Sequence, residues 1–254
     1  MNKIFAVLLA LFLCSCAGRV PMPDDRAEES RAWADMQAAS AEAKGPYRLQ
    51  LSMRFGEEGN TRRVTGILWG NGGDAIRLDV MAGVGATIAR VAESGDDFLV
   101  FAPGERRAYY HTGPTRPLLK IGVPAPFDLL QLANILTGRF SEVFGTSYEA
   151  AGTLQNGNPA YELALPVPGR LELNGAGEPV AWRQNDGGWK MELAYDDERP
   201  YLPKSARFVN RNGKIAIILV KEHESVSAPF DAEQLGLSLP PGTVKLPLSQ
   251  YKAS

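Results

Sequence analysis

The chain has 254 residues, with 27 Lys and Arg against 29 Asp and Glu and a formal net charge of −2. This balance, without any Lys/Arg block, argues against nucleic acid as a partner. Apolar content of 44% is ordinary for a globular protein, and both cysteines fall before residue 17, so no disulfide framework holds the body together.

Lys3 precedes an apolar run from Ile4 to Leu13. A helix needs roughly 20 apolar residues to cross a bilayer, so this run is too short. A basic start, a short apolar core and small residues after it describe a secretory signal peptide. The segment ends Leu13-Cys14-Ser15-Cys16-Ala17-Gly18, which resembles the bacterial lipobox. That resemblance implies that residues 1–15 are removed, that Cys16 carries a diacylglyceryl thioether, and that Cys14 leaves with the signal. Several acyl chains on one residue anchor firmly, since each buried methylene is worth about 0.8 kcal/mol. With alanine rather than aspartate at position 17, the same resemblance implies, for a Gram-negative host, export to the outer membrane with the body in the periplasm. The competing reading is an ordinary signal peptide with two incidental cysteines.

Residues 16–25 read as a lipidated tether with two prolines, and residues 26–254 as a single domain. The domain opens on a stretch rich in alanine and glutamate that Asp24 or Asp25 can cap, with acids in its first turn, as a helix start prefers. Its apolar side is thin, Trp33 and Met36 followed by alanines, and Trp33 is expected to lay it against the body.

From Tyr47 the period changes to two. Tyr47, Leu49, Leu51, Met53 and Phe55 point one way and Arg48, Gln50, Ser52 and Arg54 the other, the alternation of a half-buried antiparallel strand. Five further segments follow to Thr112, separated by Gly/Asn/Asp turns, and make a six-stranded antiparallel meander.

The meander breaks in a proline-rich stretch. Pro126 sits where a first helical turn tolerates proline, and Gly138 where a helix ends. Between them Leu129, Leu132, Ala133 and Leu136 form a helical stripe, widened by Phe127, Leu130 and Ile135 until most of the circumference is apolar. A short helix of that kind is expected to be buried. Strands then resume to Glu224, and the proline-rich tail is expected to be extended and to close one end. The expectation is a mainly β fold: a curved, incomplete antiparallel barrel of about 11 or 12 strands, with an N-terminal helix and a buried helix between two meanders.

This order of lipobox, helix, meander, helix insertion and second meander resembles the LolB-like outer-membrane lipoproteins of the LolA/LolB half-barrel superfamily. The most telling stretch is Ile76 to Val91, two strands around Met81-Ala82-Gly83-Val84-Gly85. The resemblance implies an apolar cavity that receives acyl chains, and a projecting loop residue, here Val84, that helps insert them into a membrane. Valine is smaller than the leucine expected at that tip, and a flexible hairpin turn is the other reading. The concavity would be lined by Leu49, Leu51, Met53, Phe55, Leu68, Leu78, Val80, Phe98 and Trp189, with Phe127, Leu130, Leu132 and Leu136 on a plug or lid helix. The same residues also suit an ordinary filled β core.

No catalytic signature stands out. His111 and His223 are far apart, and neither an H-E-x-x-H spacing nor a G-x-S-x-G elbow occurs. In Lys221-Glu222-His223-Glu224 the two acids share one strand face and the histidine takes the other. The pairs Asp96-Asp97 and Asp196-Asp197 fall at turns. No enzyme activity, metal or cofactor is therefore expected. Two functions remain. One is an outer-membrane-anchored carrier of lipid or lipoprotein acyl chains, served by a periplasmic carrier protein. The other is a non-catalytic scaffold with a filled core that docks an envelope complex.

Overall fold

A computed structural model describes residues 25–252, apart from 74, 84 and 114–116. The lipidation site Cys16 and the loop residue Val84 therefore lie outside the described residues.

The alternating segments become β1 (Tyr47–Glu57), β2 (Asn60–Gly70), β3 (Ala75–Ala82), β4 (Ala86–Ser94), β5 (Asp97–Ala102) and β6 (Arg107–Thr112). The second half supplies β7 (Ala150–Thr153), β8 (Pro159–Leu163), β9 (Gly169–Leu173), β10 (Pro179–Gln184), β11 (Trp189–Ala194), β12 (Ser205–Asn210) and β13 (Lys214–Ser225); the tail adds β14 (Val244–Pro247). Together they form one curved open sheet in the order β14-β6-β5-β4-β3-β2-β1-β13-β12-β11-β10-β9-β8-β7. Each half is a meander, and the two meet where β1 pairs with β13, from Tyr47 opposite Ser225 to Glu57 opposite Lys214.

The expected mainly β, incomplete barrel is what forms, and two details differ within it. The sheet has fourteen strands among the described residues, not eleven or twelve, and β14 runs parallel to β6. Both edge strands are only four residues long. They are too short to show an alternating pattern, and β14 is a strand because β6 offers it an open edge. The tail is also not simply extended, since it contains the short helix α5 (Ala232–Leu235). Asn71 fastens it by exchanging hydrogen bonds with both backbone groups of Phe230, and Arg77 donates to the carbonyls of Gln234 and Gly236.

The inward face of β1 is as expected: Tyr47, Leu49, Leu51 and Met53 are all buried. On β2, glycine makes room for that row. A Cβ at Gly66 would stand 2.6 Å from Met53 Cε, and one at Gly70 2.9 Å from the Tyr47 hydroxyl.

Helix α1 (Asp25–Glu42) has no continuous apolar stripe and docks through few residues. The Trp33 ring meets Tyr148 and Tyr161 at 5.0 and 4.9 Å, and Met36 is fully buried. Trp33 and Gln37 donate to the carbonyls of Thr146 and Gly145, beside α4 (Ser141–Phe144). Between the meanders lie α2 (Pro117–Lys120) and α3 (Leu129–Leu136). The expected helix from Phe127 is shortened at its start: Asp128 is the N-cap in a capping box with Gln131, so Pro126 and Phe127 precede the helix. Its end is as read, with Gly138 left-handed at φ +77°.

Candidate functional site: a concavity closed by one helix

The nine residues expected to line the concavity do share one apolar face. Leu49, Leu51, Met53, Leu68, Leu78 and Phe98 are buried in a single core, and Phe55, Val80 and Trp189 pack against it half-buried. The concavity is occupied by the chain's own helix. Phe127 sets its ring 5.4 Å from Trp182 and 5.8 Å from Phe208, while Leu129, Ile135 and Leu136 are fully buried and Leu132 nearly so. Leu130 is half-buried. The space left is a cavity of about 380 Å³ at the start of α3, walled by Phe98, His111, Val167 and Trp182 with Glu93 and Asp128. That volume falls within the range of small-ligand sites.

Two polar groups fix the start of α3. On β4, Val91 and Glu93 turn inward, and Glu93 is only 6% exposed. Its carboxylate accepts from the backbone N–H of Leu130 at 3.0 Å and of Leu129 at 3.3 Å. Asp128 accepts from Gln131 N–H at 2.7 Å, and the Gln131 amide oxygen accepts from Asp128 N–H at 3.2 Å. The first N–H groups of a helix lack intrahelical partners and carry a partial positive charge, which both carboxylates satisfy. Burial, then the neighbouring Asp128 charge, pushes the Glu93 carboxyl up to about 7, against the pull of the two N–H donors. Burial also raises Asp128, opposed by the hydrogen bonds it accepts.

The other end of α3 is pinned by Arg139, which is 6% exposed. Its Nε donates to the carbonyl of Ala43 at 2.6 Å and its Nη2 to that of Gly45 at 2.5 Å, while the guanidinium lies 5.1 Å over the Tyr47 ring. Burial pushes the Tyr47 phenol up to about 12 despite this cation. Gly72, at φ +78°, faces the guanidinium so closely that a Cβ would collide with Nη1.

The remaining polar motifs make contacts within the chain. Glu222 and Glu224 accept from Gln50 and Arg48 across the β1–β13 joint, and His223 takes the opposite face. Burial, then Arg199, holds the His223 imidazole below its ordinary value. Asp196 pairs with Lys204 at 3.3 Å and Arg199 at 3.7 Å. Among the described residues, no group of three or more His, Cys, Asp or Glu stands close enough to hold a metal. The Gly83 and Gly85 turn lies at the other end of β3 and β4 from Glu93, since Ala82 pairs with Ala86 there and Ile76 with Glu93 near the far end.

Sequence reasoning missed Glu93, Asp128, Arg139, Trp182 and Phe208. Two were findable. Asp128-x-x-Gln131 is a capping-box spacing ahead of an apolar run, and Glu93 interrupts the inward face of an alternating strand.

By sequence, no protein-family model and no curated protein matches the chain. By structure, it is similar to a LolA superfamily protein from Nitrosomonas europaea, with a TM-score of 0.53 and 8% identity over 77% of this chain and 94% of that one. A putative outer membrane lipoprotein-sorting protein domain from Vibrio parahaemolyticus gives 0.50 and 10%, over 80% and 95%. A DUF1329 family protein from Desulfovibrio piger gives 0.53 and 10%, also over 80% and 95%.

Proposed function

We propose, from a chain with the LolA-superfamily fold, that this protein is a cell-envelope lipoprotein binding acyl chains of lipids or lipoproteins. On this reading it is anchored to the outer membrane through Cys16, faces the periplasm, and receives cargo from a periplasmic carrier. The observation that carries the reading is an apolar concavity stoppered by one short helix, with a cavity open at that helix's start. An acyl chain offers the sheet the same kind of surface as Phe127, Leu132 and Leu136. Each guest methylene moved out of water is worth about 0.8 kcal/mol, so a long chain competes with those side chains for their seats. The lipoprotein-sorting description of the Vibrio relative agrees with such cargo. The site is one of binding, and no reaction is assigned to it.

A second reading is favoured by the full burial of Leu129, Ile135 and Leu136. On it the core stays filled and the protein is a scaffold that docks an envelope complex. Native mass spectrometry of residues 17–254, exported without lipidation, separates the two. Bound phospholipid or acylated peptide, displaced by a fluorescent fatty-acyl probe, supports the carrier. A clean apo mass with no probe uptake sinks it and leaves the scaffold.

A further inference from the structure

The two ends of α3 are held differently. Arg139 fixes the C-terminal end to main-chain carbonyls of the α1–β1 connection, contacts that no proton exchange near neutrality disturbs. The N-terminal end hangs on two carboxyl groups. Glu93 reaches from the sheet to Leu129 and Leu130, Asp128 caps the same turn, and both line the same cavity.

Acids outnumber bases around Glu93. The β4–β5 turn and β5 bring Asp96 and Asp97, α3 brings Asp128, β6 brings His111, and β14 brings Lys245 in the adjoining cavity. The register partners of Glu93 on β3 and β5, Ile76 and Phe98, are apolar. Asp97 is engaged by the Thr112 hydroxyl at 2.7 Å. One helix terminus offers about half an elementary charge, too little to balance two carboxylates taken out of water.

We infer that the start of α3 is a proton-linked latch, closed when Glu93 carries its proton and loosened when Glu93 ionises beside Asp128, with Arg139 as the fixed hinge. The inference deepens the acyl-chain reading, because loosening this turn widens the cavity at the start of α3, which the core residues Phe98 and Trp182 also line. The sign follows from linkage. A carboxyl that is harder to ionise when the helix is docked stabilises docking below its hydrated pKa. That contribution is lost as pH rises through the docked pKa. Docked Glu93 is raised to about 7 from an ordinary 4.5, so the latch loosens progressively between those values and stays loose above them.

The test is amide hydrogen exchange of residues 129–136 in the full chain, held in nanodiscs of fixed composition from pH 5 to 8.5 and corrected for intrinsic exchange. The opening constant of Leu129 to Gln131 is expected to rise roughly tenfold per pH unit between about 5 and 6.5, then level off above about 7. Protection that is flat with pH overturns the latch. In E93Q the slope should vanish, and a retained slope also overturns it. Should that variant fail to fold, the carboxyl carbon of Glu93 in the wild-type chain is titrated by NMR. A midpoint near 7 supports the latch, and one near 4.5 removes it. Uptake of a fluorescent fatty-acyl probe at pH 5 and 7.5 keeps the two readings apart. Proton-linked opening without uptake retains the latch and sinks the acyl reading, whereas equal uptake at both pH values sinks the latch alone.

Discussion

The carboxylate of Glu93 on β4 accepts the backbone N–H of Leu130 at 3.0 Å, joining the sheet to the first turn of the helix that fills it. The two residues are far apart in sequence, and each is only half explained without the other. Glu93 would be a buried acid without a partner, and the first N–H groups of α3 would rest on Asp128 alone.

That bond makes the effect of Glu93→Ala depend on pH. Removing the carboxyl takes away the side-chain acceptor of the buried Leu129 N–H and one of the acceptors of Leu130 N–H, at a cost of about 1–3 kcal/mol. The wild-type group itself is most favourable when protonated, because its folded pKa of about 7 lies above its ordinary value. Its contribution is present in full below about 4.5 and is lost as pH rises through 7. Thermal unfolding should therefore show a larger loss for Glu93→Ala at pH 5 than at pH 8. The reverse order would contradict the burial described for this group.

Phe127→Ala is expected to cost about 3–5 kcal/mol, the range for a large aromatic side chain removed from a packed core. Leu130→Ala, at a half-buried position on the neighbouring turn, should cost clearly less. Urea unfolding of both variants measures the difference. Equal small losses would mean that α3 is a loosely held lid rather than part of the core.

Gly66 tests the curvature of the first meander. Alanine there brings a Cβ to 2.6 Å from Met53 Cε, the flexible end of a side chain. A loss of about 1–3 kcal/mol follows from overpacking. Pairing Gly66→Ala with Met53→Ala should recover part of that loss in a double-mutant cycle. Strict additivity would show that the two positions do not touch.

Arg139→Lys should destabilise almost as much as Arg139→Met, despite keeping the charge. A lysine ammonium cannot reproduce the planar fork that serves the carbonyls of Ala43 and Gly45 together. Chemical denaturation of the pair decides whether charge or geometry matters at this end of α3.

The anchor is tested by fractionation. Cys16→Ala should release the protein from the membrane fraction and abolish palmitate labelling, while Cys14→Ala leaves both unchanged. Loss of labelling in Cys14→Ala would move the cleavage site.

Most of the fold was legible from residue order because its elements announce themselves locally. β1 alternates strictly from Tyr47 to Met53, and the greasy run ending at Leu136 allows only a buried helix. What stayed hidden depends on residues distant in sequence. Val244–Pro247 is a strand through its pairing with Arg107 to Tyr110, which no local pattern encodes. The seat of Phe127 is made by Trp182 and Phe208 from the opposite meander. Arg139 reads as an ordinary residue after a helix stop until Ala43 and Gly45 are brought to it. The start of α3 was misplaced for another reason: the apolar stripe drew attention away from Asp128 and Gln131.

The sheet order also bears on how the chain reaches its native state. Strands β1 to β6 pair with their sequence neighbours, as do β7 to β13, so each ladder grows by closing short loops. The β1–β13 joint is different, because Tyr47 must find Ser225 across nearly the whole domain. Closing so long a loop costs more entropy than any hairpin, though the cost rises only with the logarithm of its length. If the chain emerges from its export channel N-terminus first, the first meander and α3 arrive before β13, so the helix meets half a cradle first. The central seam of the sheet is then among the last pairings to zip, and until it does the inner edge of β1 stays open to any other strand that reaches it.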